Sequence, residues 1–407
     1  MGTSTYDVAV VGASVAGCTA ATFFGRRGLS VALLERASDI DAYKKVCTHF
    51  ILASATPTIR RLGIDGAIEA AGGLRNSAET MLPSGWVPHL IDEYGYNIRR
   101  EKLDPMLRKL AQSTDGVDLM LGKPVKALVK DGGRVAGVET DDGPIRAKLV
   151  VAADGRHGKM GELAGVPATL KPHGRFFYFA YYKHLELASG KRSQMWFSRP
   201  DAAYCFPNDD DLTLVLAAPA KEKLPAWRTD LEKTFVEYIE SFPRAPKLAT
   251  GERVSDFLGM LELPNHSRPA SAPGIAFVGD SALAADPLVG SGCGWAMQSA
   301  EWLVEAVAPA LETGAPLDAA LEGYRDKHAA ELQAHHALIC TLSMPREPSF
   351  LQRIVYDACT KDEELARAFT RVGARLDHPR TFFNVRTLAR ALWVSATRRR
   401  RLPLPPK

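Results

Sequence analysis

The 407-residue chain has few cysteines, no paired-cysteine motif and no long apolar run. Its six cysteines show no C-x-x-C spacing, which argues against a disulfide framework or a zinc site and favours a reducing compartment. No apolar run approaches the roughly 20 residues that a membrane-spanning helix needs. The first strand pattern begins close to the N-terminus, which leaves no room for a signal peptide. We therefore expect a soluble, cytoplasmic protein without a metal site.

A strong overall charge is also missing, since the net charge is only +4. The positive charge is concentrated in residues 341–407, which hold fourteen Lys and Arg against six Asp and Glu. No nucleic-acid reader motif accompanies this charge, so nucleic acid is not an expected partner. The basic run at residues 398–401 is typical of a solvated helix end followed by a frayed tail. Contact of this basic C-terminus with an anionic membrane surface or an acidic partner is the alternative.

Residues 6–35 predict a strand–helix–strand unit. Residues 8–11 have the apolar pattern of a buried strand, residues 15–27 form an Ala-rich helix, and residues 30–34 predict a second, parallel strand. A glycine turn joins the first strand to the helix, as in dinucleotide-binding folds.

This glycine turn predicts an anion site. Gly12 lets the chain reverse after the strand, and Gly17 lets the helix approach the strand closely. The unpaired amides at the helix start, together with the helix dipole, suit a pyrophosphate. Glu35 ends the second strand, where its carboxylate is placed to accept hydrogen bonds from a ribose. Ser14 replaces the middle glycine of the usual G-x-G-x-x-G pattern and is small enough to admit a phosphate, so we predict a dinucleotide site.

The residue pattern changes twice in the middle of the chain. Residues 125–148 alternate with Gly and Asp turns, which predicts a small antiparallel meander, and residues 149–153 predict a separate buried strand. Aromatic-rich strands between residues 171 and 260, followed by an amphipathic helix over residues 227–239, indicate a second sheet with one helix. From residue 294 onward the pattern is mostly helical.

A second glycine-rich turn follows a predicted buried strand at residues 274–279. Asp280 ends that strand, where a carboxylate is well placed to hold a polyol hydroxyl. Residues 290–294 (GSGCG) lead into a helix and present bare backbone amides at its positive end. Those amides suit negative charge at the pyrimidine end of a reduced flavin.

Four motifs occur in a fixed order: the N-terminal turn, REKLD at residues 100–104, DGRHG at residues 154–158 and GDSALAADPLVGSGCGWAMQSA at residues 279–300. In this order they resemble the FAD-dependent monooxygenases of the p-hydroxybenzoate hydroxylase fold, over residues 6–335. The last run is most similar to the branch that holds the flavin-dependent halogenases and geranylgeranyl reductases.

The resemblance implies an α/β fold. It consists of a Rossmann-like FAD-binding domain (a parallel sheet plus a small antiparallel meander), an inserted, mainly antiparallel substrate sheet and a C-terminal helical segment. We place the FAD-binding domain at residues 1–170 and 263–336, the substrate-binding sheet and helix at 171–262, and the helical region with its basic tail at 337–407. Covering the pocket, forming a dimer and touching a membrane remain alternative roles for the C-terminal helices.

The resemblance also implies which residues bind FAD. Gly12, Ser14 and Gly17 would hold the pyrophosphate, Glu35 the adenosine ribose, Arg100 the phosphate–ribityl stretch and Asp280 the ribityl chain. The remaining residues assigned to the cofactor are Arg36 and Asp154 and, along the isoalloxazine, Pro287, Gly290, Gly292, Cys293 and Gly294.

The implied activity is that of an FAD-dependent monooxygenase, which hydroxylates or epoxidises a hydrophobic small molecule through a flavin hydroperoxide. Aromatic compounds are among the expected substrates. Molecular oxygen is the second substrate, and the electrons come from NADPH or NADH, directly or through a partner flavin reductase. Such chemistry needs a dry, apolar pocket. The candidates for its wall are Phe177, Phe179 and Tyr181, which share one face of a strand, and Phe206.

Candidate catalytic residues are His49, Cys47 and Pro287. The segment Lys45-Val46-Cys47 resembles the K-x-C-G motif of the reductase branch, with Thr48 in place of the glycine. Reduction of isoprenoid-type double bonds is therefore an alternative, as is halogenation, although the halogenase motif G-W-x-W-x-I-P is absent. A flavin-binding protein without catalytic turnover is a further alternative.

Overall fold

The computed structural model describes residues 4–198 and 200–405, and its architecture confirms the predicted α/β fold class. In chain order the strands are β1 (Ser4–Val11), β2 (Val31–Leu34), β3 (Phe50–Ile51), β4 (Leu74–Asn76), β5 (Ala78–Leu82), β6 (Gly85–Val87), β7 (Gly95–Asn97), β8 (Val117–Met120), β9 (Ala127–Asp131), β10 (Arg134–Thr140), β11 (Gly143–Ala152), β12 (Thr169–Lys171), β13 (Phe177–Lys183), β14 (Ser193–Trp196), β15 (Ala202–Pro207), β16 (Leu212–Ala218), β17 (Glu252–Arg253), β18 (Leu258–Met260), β19 (Asn265–Ser267), β20 (Ser271–Ala272), β21 (Ile275–Phe277) and β22 (Leu283–Ala284).

The helices lie mainly between the first strands and in the C-terminal third of the chain. They are α1 (Val15–Arg26), α2 (Thr56–Leu62), α3 (Asp65–Ala70), α4 (Arg100–Gln112), α5 (Met160–Leu163), α6 (Leu224–Thr229), α7 (Leu231–Glu240), α8 (Gly292–Thr313), α9 (Leu317–Leu342), α10 (Phe350–Cys359), α11 (Glu363–Gly373), α12 (Pro379–Phe382) and α13 (Val385–Thr397).

A parallel sheet forms the centre of the molecule. Its strands run in the order β21-β11-β1-β2-β8, and the short β20 pairs antiparallel with β21 at the edge. The predicted strand–helix–strand unit is confirmed, since Val8 pairs with Val31 of the parallel β2. Because the carboxyl ends of parallel strands meet at one edge, the segments that follow β1, β2, β11 and β21 converge there.

The meander differs from the prediction in one respect. Residues 145–148 and 149–153 were expected as two strands, whereas β11 is continuous and pairs with β10 on one side and with β1 on the other. Residues 145–152 contain no Gly, Pro, Asn, Asp or Ser, so nothing in the sequence breaks the strand.

The second sheet is antiparallel except for one pair. Its order is β17-β13-β16-β15-β14-β5-β6, with β18 beside β13, and only β14 and β5 pair in parallel. The last two strands, β5 and β6, come from residues 78–87, well before the rest of the sheet. The helix predicted over residues 227–239 is two helices, α6 and α7, because the backbone is extended at Asp230, whose side chain caps α7 by accepting from the amide of Lys233.

The C-terminal helices α10, α11, α12 and α13 form their own apolar cluster with Leu82 and Val87 of the second sheet. The expectation of a frayed tail after residue 398 is wrong for residues 401–405. The amide of Leu402 donates to the carbonyl oxygen of Thr360 at 2.8 Å. The carbonyl oxygen of Pro405 accepts from the guanidinium of Arg192 at 3.0 Å. Within the described residues, no helix is both long and apolar enough to cross a membrane.

Candidate cofactor and substrate site

The glycine turn between β1 and α1 has no space for side chains. Gly12 has a left-handed backbone (φ +103°), and a Cβ there would lie 2.5 Å from the carbonyl oxygen of Ala153. A Cβ on Gly17 would lie 1.8 Å from the carbonyl oxygen of Gly12. Because these neighbours are backbone atoms, they have little freedom to move aside. The two glycines therefore hold the amino end of α1 against β1 and the segment after β11.

Polar groups of three elements surround the amino end of α1. Ser14 precedes the helix without capping it, and its Oγ accepts a hydrogen bond of 2.6 Å from the guanidinium of Arg100. Glu35, after β2, accepts a hydrogen bond of 2.8 Å from the amide of Ala13. Arg100 also forms a bidentate pair with Asp104, with N–O distances of 2.6 and 2.9 Å. Backbone amides, a carboxylate and a guanidinium at a helix start suit the ribose and pyrophosphate of a dinucleotide.

Asp280 lies at the same edge of the sheet, after β21. The Nζ of Lys44 lies 3.3 Å from its carboxylate. The guanidinium of Arg156, held by the carbonyl oxygens of Pro264 and Ala285, contributes further positive charge. Burial favours the neutral acid, but Lys44 and Arg156 outweigh it and lower the pKa of Asp280 below its usual range. Asp280 is therefore an ionised acceptor for a hydroxyl group.

Two cysteines from distant parts of the chain meet beside Arg100. The Sγ atoms of Cys47 and Cys293 lie 4.0 Å apart. A guanidinium nitrogen of Arg100 lies 3.9 Å from the Sγ of Cys293. The hydrogen bond with Cys293 lowers the pKa of Cys47 despite its burial, and His49 and Arg100 act in the same direction. The same hydrogen bond, together with burial, raises the pKa of Cys293. The pair therefore releases its first proton from Cys47, and the resulting thiolate is stabilised by the hydrogen bond from Cys293.

His49, a predicted catalytic residue, is held on both sides of its ring. Its Nδ1 accepts a hydrogen bond of 3.1 Å from the amide of Arg100, and its Nε2 contacts the hydroxyl of Tyr181. Its backbone has a left-handed conformation (φ 59°) that is uncommon for a histidine, and its amide donates to the Sγ of Cys47 at 3.3 Å. These contacts fix the ring of His49 beside Cys47, and its catalytic role stays a prediction.

The second glycine-rich turn leads into α8 through a single helical turn at Pro287–Val289. The side chain of Asp286 begins this turn by accepting from the amide of Leu288 at 3.0 Å. Gly290 has a left-handed backbone, and a Cβ there would lie 2.8 Å from the ring of Phe50. At Gly292 the space is open, since the nearest atom to a Cβ would be a carboxylate oxygen of Asp280 at 3.9 Å. The exposed start of α8 thus faces the same cleft as Asp280.

A largely apolar cavity of about 500 Å³ lies beneath the C-terminal helices. It reaches the second glycine-rich turn at Leu288, Val289 and Trp295, and its lining includes the charged Arg175 and Arg375. Its volume lies in the range of small-molecule pockets. Because α9 to α13 supply most of the remaining wall, the C-terminal helices close a ligand-sized space against the turn.

The predicted substrate-binding aromatics lie on the cofactor side of the second sheet. Phe177, Phe179 and Phe206 are buried in one apolar cluster with Phe50 and Leu288. In the part of the chain that the structure describes, neither these three nor the tyrosine bonded to His49 lines the cavity. They form the packing behind the glycine-rich turn, and their contact with a substrate stays a prediction.

Two further residues assigned to the cofactor have different surroundings. Both carboxylate oxygens of Asp154 are occupied, by the amide of Met160 at 2.9 Å and by the hydroxyl of Ser281 at 2.8 Å. Asp154 therefore holds the segments after β11 and β21 together. Arg36 is exposed next to Glu35, and its contact with the cofactor stays a prediction.

Two parts of the site have no counterpart in the sequence predictions. Lys44 was not assigned a role, although it directly precedes the Lys45-Val46-Cys47 motif. The cavity wall formed by residues 338–388 agrees with one of the three alternative roles of the C-terminal helices, covering the pocket, but no single wall residue was predicted because those helices carry no chemical motif. Among residues 4–198 and 200–405, no group of three His, Cys, Asp or Glu side chains is arranged to hold a metal ion.

The residues at this edge fit an extended dinucleotide cofactor. One end offers the bare amino terminus of α1 with Glu35, and the other offers ionised Asp280 beside the open space at Gly292. The start of α8 supplies backbone amides where a flavin ring needs them. These features match the chemistry of FAD from its adenosine ribose to its isoalloxazine.

Comparison with known proteins agrees with this geometry. The chain is 27% identical over 323 residues to the digeranylgeranylglycerophospholipid reductase of Picrophilus torridus, covering 75% of this chain and 79% of that protein. Its fold is similar to the flavin-dependent brominase Bmp2 (TM-score 0.77, 20% identity, 96% and 98% of the two chains covered). It is also similar to PqsL, a probable FAD-dependent monooxygenase from Pseudomonas aeruginosa (TM-score 0.72, 18% identity, 90% and 99% covered).

These structural likenesses confirm the predicted fold. The family model described as "FAD binding domain" matches residues 5–336, which include both glycine-rich turns. The chain therefore belongs to this family of FAD-binding oxidoreductases.

Proposed function

We propose that this protein is an FAD-dependent reductase of carbon–carbon double bonds in a hydrophobic, isoprenoid-type substrate. The thiol pair of Cys47 and Cys293 carries the proposal. Saturating a double bond adds a hydride to one carbon and a proton to the other, so the site needs a proton donor. When bound, FAD supplies the hydride-transfer chemistry of such a reaction.

The thiol pair is built to supply that proton. The two sulfurs lie 4.0 Å apart, so a proton given up by the Cys47 thiol leaves one thiolate that the S–H of Cys293 stabilises by a hydrogen bond. The guanidinium of Arg100, 3.9 Å from the Sγ of Cys293, stabilises the same negative charge. The amide of His49 donates to the Sγ of Cys47 and holds that sulfur in place.

Oxygen chemistry fits this pair less well. Thiolates are oxidised readily by activated oxygen, first to sulfenic acid and then irreversibly. A cleft that keeps a cysteine with a lowered pKa beside its cofactor therefore favours a reaction that does not use oxygen. The Picrophilus torridus relative is a digeranylgeranylglycerophospholipid reductase, which supports the same choice.

The apolar cavity supports a hydrophobic substrate. Its walls meet the second glycine-rich turn at Leu288 and Trp295, while Cys293 of the same turn belongs to the cleft. A substrate chain in the cavity would therefore end next to the cofactor side of the turn. Burial of each methylene group contributes about 0.8 kcal/mol, so a long hydrocarbon chain binds without many polar contacts.

A monooxygenase acting on a hydrophobic small molecule is the second candidate, and the largely apolar lining of the cavity favours it. Oxygen chemistry at a flavin requires exclusion of water, and a substrate that fills an apolar cavity displaces water from it. In both candidates the electrons come from NADPH or NADH, directly or through a partner flavin reductase.

One experiment distinguishes the candidates. The purified protein is loaded with FAD, reduced with dithionite without oxygen, and mixed with a geranylgeranyl lipid. A reductase yields product that has gained two hydrogen atoms, with reoxidation of the flavin, in the complete absence of oxygen. Product that forms only with oxygen and contains one added oxygen atom would establish the monooxygenase. Absence of any altered lipid, with and without oxygen, from protein that holds reduced FAD would contradict both.

A further inference from the structure

Helix α13 exposes an apolar stripe instead of burying it. The exposed residues Val385, Ala389, Leu392, Trp393 and Ala396 recur at the spacing of one helical face. Val385 is 83% exposed, Leu392 46% and Trp393 56%. An amphipathic helix at a protein surface usually turns such a stripe towards the core. We call these five residues the outer face of α13.

The outer face continues to the mouth of the cavity. Phe350 is 76% exposed, Leu351 50% and Phe383 54%. Leu351 and Phe383, together with Val385 of the outer face, also line the cavity. The same apolar surface therefore runs from solvent into the space proposed for the substrate. Exposed apolar surface of this extent marks an interaction site.

Unpaired arginines accompany this surface. Within the described residues, Arg346, Arg380, Arg386, Arg399 and Arg400 are exposed and none of them forms an ion pair. Arg386 directly follows Val385, and Arg399 and Arg400 follow the end of α13. The C-terminal residues 341–407 carry fourteen Lys and Arg against six Asp and Glu. This surface therefore combines exposed apolar groups with free positive charge.

We propose that the outer face of α13 and the cavity mouth dock on an anionic lipid bilayer. Trp and aliphatic side chains enter the interface while neighbouring arginines bind acidic headgroups, which is how amphipathic helices lie on membranes. A second copy of this chain fits less well, because two such surfaces would bring unpaired arginines together. The docking residues lie beyond residue 336, where the family match ends, so membership of the family does not account for them.

Docking places the cavity mouth against the bilayer, where a hydrophobic chain passes from lipid into the cavity without crossing water. Only this direction of substrate entry rests on the proposed function. The docking itself depends on the surface of α13 and is independent of the reaction.

Vesicle flotation of the full-length, FAD-loaded protein tests the proposal without turnover. The vesicles are phosphatidylcholine alone, or phosphatidylcholine and phosphatidylglycerol in equal parts. We expect binding to the anionic vesicles that weakens with added salt. The double variant Arg399→Gln/Arg400→Gln should lower the partition coefficient about 30-fold, since each basic residue near an anionic surface contributes about 1 kcal/mol.

Matched variants isolate the surface. Leu392→Ser/Trp393→Ser should lower binding about ten-fold, because interfacial affinity scales with buried apolar area. Neither residue lines the cavity among the described residues. The control Leu170→Ser/Val254→Ser removes two apolar side chains that are 64% and 44% exposed elsewhere. The control Arg146→Gln/Arg228→Gln removes the same charge from other exposed positions.

Three outcomes would overturn the proposal. The first is absence of vesicle binding by a protein that retains FAD. The second is an equal loss of binding in the controls and the α13 variants. The third is self-association of the unaltered protein, measured by light scattering, that Leu392→Ser/Trp393→Ser abolishes, because a second copy would then cover this surface. Failure of double-bond reduction with normal vesicle binding would count against the proposed function alone.

Discussion

The Sγ atoms of Cys47 and Cys293 lie 4.0 Å apart although the two residues are separated by 246 positions in the chain. The segment before β3 supplies the first cysteine and the start of α8 supplies the second. Their contact brings together an early and a late segment of residues 5–336, the region that matches the FAD-binding family. It lies where the cofactor cleft meets the second glycine-rich turn.

We expect Cys47 to react with iodoacetamide faster than any other cysteine of the protein at neutral pH. Its pKa is lowered by the hydrogen bond with Cys293, and the other five cysteines are buried. Cys293→Ala should slow alkylation of Cys47 about ten-fold at neutral pH, because the loss of that hydrogen bond raises its pKa. Peptide mass spectrometry over a pH series gives both rates.

Cys340→Ala is the matched control, since Cys340 is buried and its sulfur contacts His336. Bound FAD should protect Cys47 from alkylation. Equal alkylation rates at Cys47 and Cys359, or a Cys293→Ala profile that matches the unaltered protein, would show that the hydrogen bond with Cys293 does not activate Cys47.

The ion pair between Lys44 and Asp280 leads to a second prediction. Asp280→Asn should weaken FAD binding by about 10- to 100-fold, since hydrogen bonds to charged groups contribute about 1.5–3 kcal/mol. Titration of the apoprotein, followed by the quenching of flavin fluorescence, measures the affinity. Asp256→Asn removes an exposed carboxylate elsewhere and should leave the affinity unchanged. An unaltered affinity in Asp280→Asn would place the ribityl chain away from this edge.

The features of this site that follow from hydrophobic periodicity and glycine spacing could be predicted from the sequence. The turn at Gly12 and Gly17 follows from a buried strand, a helix and a second strand in register, and Asp280 follows from a strand end. These are local patterns, each decided within about thirty residues of chain, as expected of a strand–helix–strand unit.

The contacts between segments that are distant in the chain could not be predicted from the sequence. Nothing in the sequence near Cys47 indicates that its partner is Cys293, and nothing near Leu288 indicates that α13 closes a cavity over it. The addition of β5 and β6 to the second sheet is similar, because short strands are recruited by whichever sheet edge is available. The apolar residues on the outer face of α13 repeat with a helical period, which from sequence alone indicates a buried face. Only the structure shows that these residues point outward.

Glycine packing at the first turn gives a third prediction. Gly17→Ala should destabilise the protein by about 3 kcal/mol and weaken FAD binding, because the new Cβ would lie 1.8 Å from the carbonyl oxygen of Gly12. Gly323→Ala, in α9 with no atom within 4 Å of the new Cβ, should instead stabilise the protein by about 0.5–1 kcal/mol. Thermal unfolding with and without FAD compares the two. Similar melting temperatures for both variants would contradict the close contact between α1 and β1.

The buried carboxylate of Asp286 gives the last prediction, a pH dependence of stability. Burial raises the pKa of Asp286 to about 6, above the value of about 3.9 expected for an unfolded chain. Below about pH 4 the carboxyl is protonated in both states and stability is at its full value. As the pH rises towards and through 6, the unfolded state releases the proton more easily, so the free energy of unfolding falls.

Asp286→Asn removes this dependence while its carbonyl oxygen still accepts from the amide of Leu288. We therefore expect the variant to be more stable than the unaltered protein above pH 7, by up to about 3 kcal/mol for a shift of about two units, and to show no gain near pH 4. Urea unfolding of the FAD-loaded protein between pH 4 and pH 8 measures the difference, with Asp256→Asn as the exposed control. One oxygen of Asp286 is buried without a hydrogen-bond partner, which is why neutralising this side chain relieves a cost rather than breaking a contact. A variant that is less stable at pH 8 than at pH 5, in parallel with the unaltered protein, would assign the titration to another group.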